Sequence, residues 1–240
     1  MCVIYLAFDV NPDHPLVLLA NRDEFYERPS SAAEYWKDHP EIFAGRDLIA
    51  GGTWLGITKG GRVAAVTNYR EPNARPGTHS RGELVADFLK GSASAAEYMA
   101  RVEQRSTYYS GFNLIVGEIN HARCELFYFS NRSEGVRELR AGLYGLSNHL
   151  LDTPWPKVAI GRDRLRTALD GTFDKELLFD LLADESLAED DLLPDTGIGY
   201  EKEKALSAIF IKTPIYGTQC STVVTFSKSL VPSLEERVFV

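Results

Sequence analysis

The chain has 240 residues, 44% of them hydrophobic and 25% charged, with a net charge of −8. That acidity excludes the basic footprint of a nucleic-acid partner and a general affinity for anionic membranes. A chain of this length buries about 70–75% of its unfolded surface, so its core needs no disulfide or metal staple.

The first element, residues 2–10, reads as a strand rich in β-branched and aromatic residues. Asn11-Pro12-Asp13-His14-Pro15 is turn chemistry, and residues 16–20 are the returning strand. If Val10 pairs with Leu16 or its near neighbours, Cys2 falls opposite Arg22, Asp23 or Glu24. Strands 53–58 and 62–67 flank Gly60-Gly61 as a tight hairpin. Ser80-Arg81-Gly82-Glu83 is a capping box ahead of an apolar helical face, and Ser94-Ala95-Ala96-Glu97 repeats that start signal. Residues 112–119, 125–130, 136–139 and 143–146 return to strand. Helices are predicted over 157–169 and 174–182, followed by an acidic loop at 187–200. Segments 206–211, 221–226 and 238–240 read as closing strands. With no linker or repeat in between, this order predicts a single α+β domain over residues 1–240, its layered sheets covered by helices.

The apolar runs at 3–8 and 16–20 are far too short to span a bilayer, so no transmembrane segment is expected. The start lacks a basic region followed by a cleavage site, and the three cysteines form neither a disulfide framework nor a zinc pattern. A cytoplasmic protein is expected. Phosphate-binding glycine loops, a zinc-protease helix and a serine nucleophile elbow are all absent, and the five histidines have no ligand spacing. No metal or other cofactor is required on this reading.

Cys2 follows the initiator methionine, which cells usually remove before a small residue. The cysteine would then carry a thiol and an α-amine of pKa about 7.7–8.0, nucleophile and base on one residue. The other reading is a half-buried strand cysteine. Asn21-Arg22-Asp23-Glu24 is either a solvated strand end or a set that holds a thiolate and a terminal ammonium. On an unbroken strand Arg22 and Glu24 share one face, and Asn21 and Asp23 the other. The paired glycines of Gly51-Gly52-Thr53-Trp54-Leu55-Gly56 mark a close backbone approach, and Trp54 either packs or lines a ligand. Asn68 and Asn148 each end an apolar strand, where an amide serves a turn or donates to a developing oxyanion. Tyr216-Gly217-Thr218-Gln219-Cys220 lines a pocket or shapes a hairpin.

Met1-Cys2, Asn21-Arg22-Asp23-Glu24, Gly51–Gly56, Thr67-Asn68, Ser80-Arg81-Gly82, Gly111-Phe112-Asn113-Leu114, Gly145-Leu146-Ser147-Asn148 and Tyr216-Gly217-Thr218 occur in one order along the chain. This set resembles the NRDE-motif family, also called the transport and Golgi organisation family. The resemblance implies a four-layer αββα sandwich of the N-terminal-nucleophile hydrolase type, distantly related to penicillin and bile-salt acylases. It implies Cys2 as nucleophile, with Arg22 and Asp23 as its electrostatic neighbours. Asn68 would be an oxyanion donor, and Asn148 would hold the α-amine or substrate. Arg22 and Asp23 are adjacent, where the acylases separate the pair, and Gln219 stands where the family often has arginine. The implied partner is a small molecule: a linear amide to be hydrolysed or, in a non-catalytic carrier, haem or an acyl or lipid ligand. Trp54, Tyr69, Arg70 and Gln219 are the expected ligand-binding residues. Oligomeric state is not encoded in any motif.

Overall fold

Alternating side chains, apolar on both faces, build the centre of this molecule. The computed structural model describes residues 2–74 and 76–240, so the expectation about Met1 lies outside the described residues. In chain order the strands are β1 (Cys2–Phe8), β2 (Leu16–Phe25), β3 (Ser30–Tyr35), β4 (Ile42–Asp47), β5 (Leu55–Thr58), β6 (Arg62–Asn68), β7 (Phe112–Asn120), β8 (Arg123–Ser130), β9 (Arg137–Glu138), β10 (Gly142–Leu146), β11 (Tyr216–Phe226) and β12 (Pro232–Val238). The α-helices are α1 (Arg81–Lys90), α2 (Ala95–Gln104), α3 (Pro156–Asp170), α4 (Lys175–Leu182) and α5 (Tyr200–Ala205).

The strands form two antiparallel sheets, ordered β10-β1-β2-β11-β12 and β3-β4-β5-β6-β7-β8-β9. On β1, Ile4, Leu6 and Phe8 face the second sheet, where they meet Ile57, Val63, Ile115 and Leu126. The intervening Val3, Tyr5 and Ala7 face Leu165, Leu178 and Leu182 of α3 and α4. On the far side, Ala64, Val66, Leu114 and Phe129 pack on Leu84, Phe88 and Met99 of α1 and α2. Three apolar layers therefore separate four structural layers, helix, sheet, sheet and helix, as expected for strands buried on both faces.

Four predictions need correction, and three elements were not anticipated. The first strand stops at Phe8 and pairs it with Leu16, leaving a longer turn that exposes Val10. Segment 206–211 is not a strand; Lys157 Nζ donates to Leu206 O, and Asn21 Nδ2 to Ile209 O. Those side chains satisfy carbonyls that a neighbouring strand would otherwise take, and an apolar run packs without a ladder. The closing strand lies at Pro232–Val238 rather than in the last three residues. Strands β3 and β4 and helix α5 were not anticipated. The Ser80–Glu83 capping box does not form, because Ser80 makes no side-chain cap bond and Glu83 accepts the Tyr109 hydroxyl at 2.6 Å instead.

The Ser94–Glu97 box is complete in both directions. Ser94→Ala should therefore lower stability by about 1 kcal/mol. Ser80→Ala, which removes no cap bond, should stay within about 0.5 kcal/mol. Urea denaturation of the two variants separates these outcomes.

Candidate functional site

The β1–β2 hairpin pairs Cys2 with Arg22, inside the window anticipated from the turn. Strand β2 runs unbroken through Phe25, so its polar tetrapeptide alternates between two environments. Asn21 is fully buried under the sheet, where its Nδ2 donates to Leu182 O and Ile209 O and its Oδ1 accepts from Ser221 at 2.6 Å. That amide anchors α4 and the 206–211 segment to the strand. Arg22 points to the Cys2 face, and Asp23 turns away towards α3. Glu24 follows Arg22, with Oε1 accepting the Phe25 N–H at 2.9 Å.

Cys2, Arg22, Asp23 and Glu24 share a cleft of about 290 Å³ with Arg28, Asp47, Trp54, Asn68, His79 and Arg81. The Arg22 guanidinium lies 4.3 Å from the centre of the Trp54 ring, and its Nη1 reaches Ser30 Oγ at 3.3 Å. Trp54 thus packs and lines the cleft at once, with the Arg22 guanidinium over its ring and Arg22 paired with Cys2 across the hairpin. Gly45 makes room for that indole, since a β-carbon there would sit 2.4 Å from Trp54. The Gly51-Gly52 pair has the close approach its sequence suggested. A β-carbon on Gly52 would lie 2.5 Å from the Gly82 carbonyl carbon, and Thr53 N donates to Gly82 O. This contact seats the start of α1, and with it Arg81, at the cleft. Gly52→Ala should cost about 1–3 kcal/mol through overpacking against backbone that cannot give way. A denaturation midpoint equal to wild type would contradict that seating.

Burial pushes the Cys2 thiol above its ordinary value; the Asp23 carboxylate adds to this, while an Asp23 backbone hydrogen bond and the Arg22 charge oppose it. Below the strand, Thr218 donates to Asp23 Oδ1 at 2.7 Å, and Tyr216 donates to Asp23 O. Burial lifts the Asp23 carboxyl to about 6, against the pull of Lys157 and the Thr218 bond. Lys157 is buried as well, which lowers its amine to about 8, while Asp23 holds it up. This carboxylate–ammonium couple forms a charged floor beneath the cysteine.

Asn68 lines the cleft, and its carbonyl accepts Nδ2 of the fully buried Asn148 at 3.0 Å. Ser147 Oγ donates to Cys2 O at 3.3 Å. The end of β10 therefore ties the cysteine backbone to the end of β6. Gln219 sits at a bulge in β11, and its Nε2 donates to Phe25 O at 2.7 Å. Tyr69 and Arg70 line a second, neighbouring cleft with His149 and Asp195, and are not brought to the Cys2 cleft. Arg70 is committed to an ion pair with Glu203 and stacks over Trp155. Reading the sequence missed Arg28, His79 and Arg81. Ser80-Arg81-Gly82 reads as a helix start and as one block of the family resemblance, and neither reading gives Arg81 itself a role in the site. Among the described residues no group of three or more His, Cys, Asp or Glu side chains is placed to hold a metal, and no helix is long and apolar enough to cross a membrane.

Two antiparallel sheets between helical layers, with Cys2 at the start of the first central strand, define the N-terminal-nucleophile hydrolase fold. The architecture is similar to a Caenorhabditis elegans N-acylethanolamine-hydrolyzing acid amidase ortholog, with a TM-score of 0.57 at 12% identity over 100% of both chains. It is also similar to a mutant conjugated bile acid hydrolase from Clostridium perfringens, with a TM-score of 0.54 at 8% identity over 100% of this chain and 92% of that one. Within this fold, the family described as Transport and Golgi organisation 2 matches residues 1–239, and the chain belongs to that family. The Homo sapiens Transport and Golgi organization protein 2 homolog is 38% identical over 242 residues, covering 93% of this chain and 88% of the relative. The Mus musculus homolog is 36% identical with the same coverage.

Proposed function

We propose that this protein is a cysteine-dependent hydrolase of linear amide bonds, with Cys2 as nucleophile once Met1 has been removed. The observation that carries the reading is the pairing of Cys2 with a buried, aromatic-clamped Arg22 at the mouth of a charged cleft. A thiol raised by burial is a poor nucleophile on its own, so the scheme needs a base beside it. The Cys2 α-amine would take the thiol's proton, and the thiolate would attack the amide carbonyl. Asn68 would donate to the resulting oxyanion. The protonated α-amine would then hand its proton to the departing amine, leaving a thioester that water cleaves. Asp23 would orient the α-ammonium, and Asn148 would hold Asn68 in place through the bond to its carbonyl.

Two solved structures of the same fold bear names of amide-cleaving enzymes, an N-acylethanolamine-hydrolyzing amidase and a conjugated bile acid hydrolase. Haem suits this cleft poorly. Its lining is crowded with arginine and carboxylate groups, and its volume of about 290 Å³ is at the small end for ligand sites.

The test combines intact mass with thiol alkylation. In protein that has lost Met1, Cys2 should react about tenfold faster than exposed Cys124, as expected for a base-assisted thiol. Buried Cys220 should react last. If processed protein labels Cys124 faster than Cys2, the nucleophile assignment is wrong.

A further inference from the structure

We infer that the Cys2 cleft takes a substrate bearing a carboxylate, and that Arg81 is the residue that receives it. This rests on the amide-hydrolase reading for the site and adds the substrate's charge.

Three arginines line the cleft, and their partners differ. Arg28 is neutralised by Asp47 at 2.8 Å. Arg22 is 5% exposed, its guanidinium meets the Trp54 ring and Ser30 Oγ, and among the described residues it has no ion-pair partner. Arg81 donates Nη1 to Gly111 O at 3.1 Å and likewise has no ion pair among the described residues. Arg22 is a buried guanidinium with no ion pair, Arg81 stands half-buried in the same cleft under only the longer-range pull of Glu24 and Glu71, and a cleft lined by both favours an anion.

The carboxylates nearby are occupied. Asp47 is held by Arg28 and by the Ile49 and Ala50 N–H groups. Asp23 reaches the cleft from the next position on β2, but its carboxylate accepts from Thr218 and is coupled to Lys157. Glu71 is paired with Arg132 and accepts the Gly111 N–H. Glu24 accepts the N–H that follows it and forms no ion pair among the described residues, so its charge reaches Arg81 only at longer range. Arg22 flanks the thiol, where charge develops during attack. Arg81 comes from the other side of the cleft, carried by α1, and is placed to anchor the substrate rather than to act on the scissile bond. A carboxylate fits the guanidinium fork in two parallel bonds, a geometry that lysine cannot reproduce.

The test uses the full chain carrying Cys2→Ala, so that neither turnover nor thiol reactivity enters the reading. The probes are N-octanoylglycine and its methyl ester, followed by titration calorimetry. The acid should bind about tenfold more tightly than the ester, and the preference should weaken as salt is raised. Adding Arg81→Gln should bring the ratio close to one, while Arg81→Lys should keep part of it, with circular dichroism unchanged in both. A ratio that survives Arg81→Gln overturns the assignment, and so does failure of both probes to bind at millimolar concentration. An acid preference that depends on Arg81 in a protein whose Cys2 fails the alkylation test would leave the anion site standing and remove the hydrolase.

Discussion

Arg70→Met should lower stability by about 3–5 kcal/mol, the cost of leaving a buried charge without its partner. Arg70 and Glu203 are 5% and 4% exposed at their side chains and form a direct ion pair. Glu203 also accepts from Thr196 through both the backbone N–H and the hydroxyl. The pair therefore fastens α5 and the preceding loop onto the end of β6, where Arg70 N donates to Asn148 O. Methionine keeps the aliphatic stem but strands the Glu203 carboxylate. A buried pair contributes little net stability against an apolar replacement, so Arg70→Met combined with Glu203→Leu should recover more than half of the loss. Urea denaturation with an unchanged m-value would measure both steps. A single-variant cost below about 1 kcal/mol would mean that Glu203 escapes to water. The same measurement separates a structural Arg70 from a ligand-binding one, because loss of a ligand contact leaves the apo protein's stability unmoved.

The central strands were legible because burial on both faces leaves an unmistakable composition. Residues 2–8, 16–20, 62–67 and 112–119 are such runs, and the turn at Asn11–Pro15 was enough to put Cys2 within one or two residues of its true partner. The edges were not legible. Strand β3, Ser-Ser-Ala-Ala-Glu-Tyr, is half-buried to exposed along its length, and β12 carries Glu235, Glu236 and Arg237. A strand with one neighbour and a solvated face has no alternation to read, and its pairing is decided by the sheet it joins. Helix α5 hid for a related reason, since its Tyr-Glu-Lys-Glu-Lys-Ala stretch buries only Glu203.

The site divided along the same line. Register arithmetic put Arg22 and Asp23 beside Cys2, while Asn68 came from its place at the end of an apolar strand and from the family resemblance; all four line the cleft. Arg81 was missed, because its position depends on the Gly52–Gly82 contact between segments thirty residues apart, which no local pattern records. Tyr69 and Arg70 follow Asn68 directly, yet the chain leaves the strand there and carries them to the neighbouring cleft.

Lys157→Met should destabilise the protein by about 3–5 kcal/mol at pH 7 and by less than about 1 kcal/mol at pH 5. The pH dependence follows from two opposite shifts. Asp23 is raised from 3.8 to about 6, so the folded state holds its proton more tightly than the unfolded chain does. Its contribution is most favourable in acid and is lost as pH climbs from about 4 to about 6. Lys157 is lowered from 10.5 to about 8, so the cost of burying its charge is relieved only as pH climbs past about 8. Between these limits both groups are charged, and each is the other's main compensation. Removing the ammonium at pH 7 leaves the Asp23 carboxylate buried without its largest favourable charge and leaves the Leu206 carbonyl without its donor. At pH 5 Asp23 is already protonated, so the variant loses one hydrogen bond and gains relief from an uncompensated buried ammonium. Chemical denaturation at both pH values reads the difference directly. Equal penalties at pH 5 and pH 7 would show that the two groups do not titrate together. The consequence reaches the thiol, because the Asp23 charge opposes ionisation of Cys2 and a neutral Asp23 does not. Protein carrying Lys157→Met, in which Asp23 stays protonated to higher pH, should alkylate at Cys2 with a pH profile displaced from wild type, whereas a purely structural lysine would leave that profile where it was.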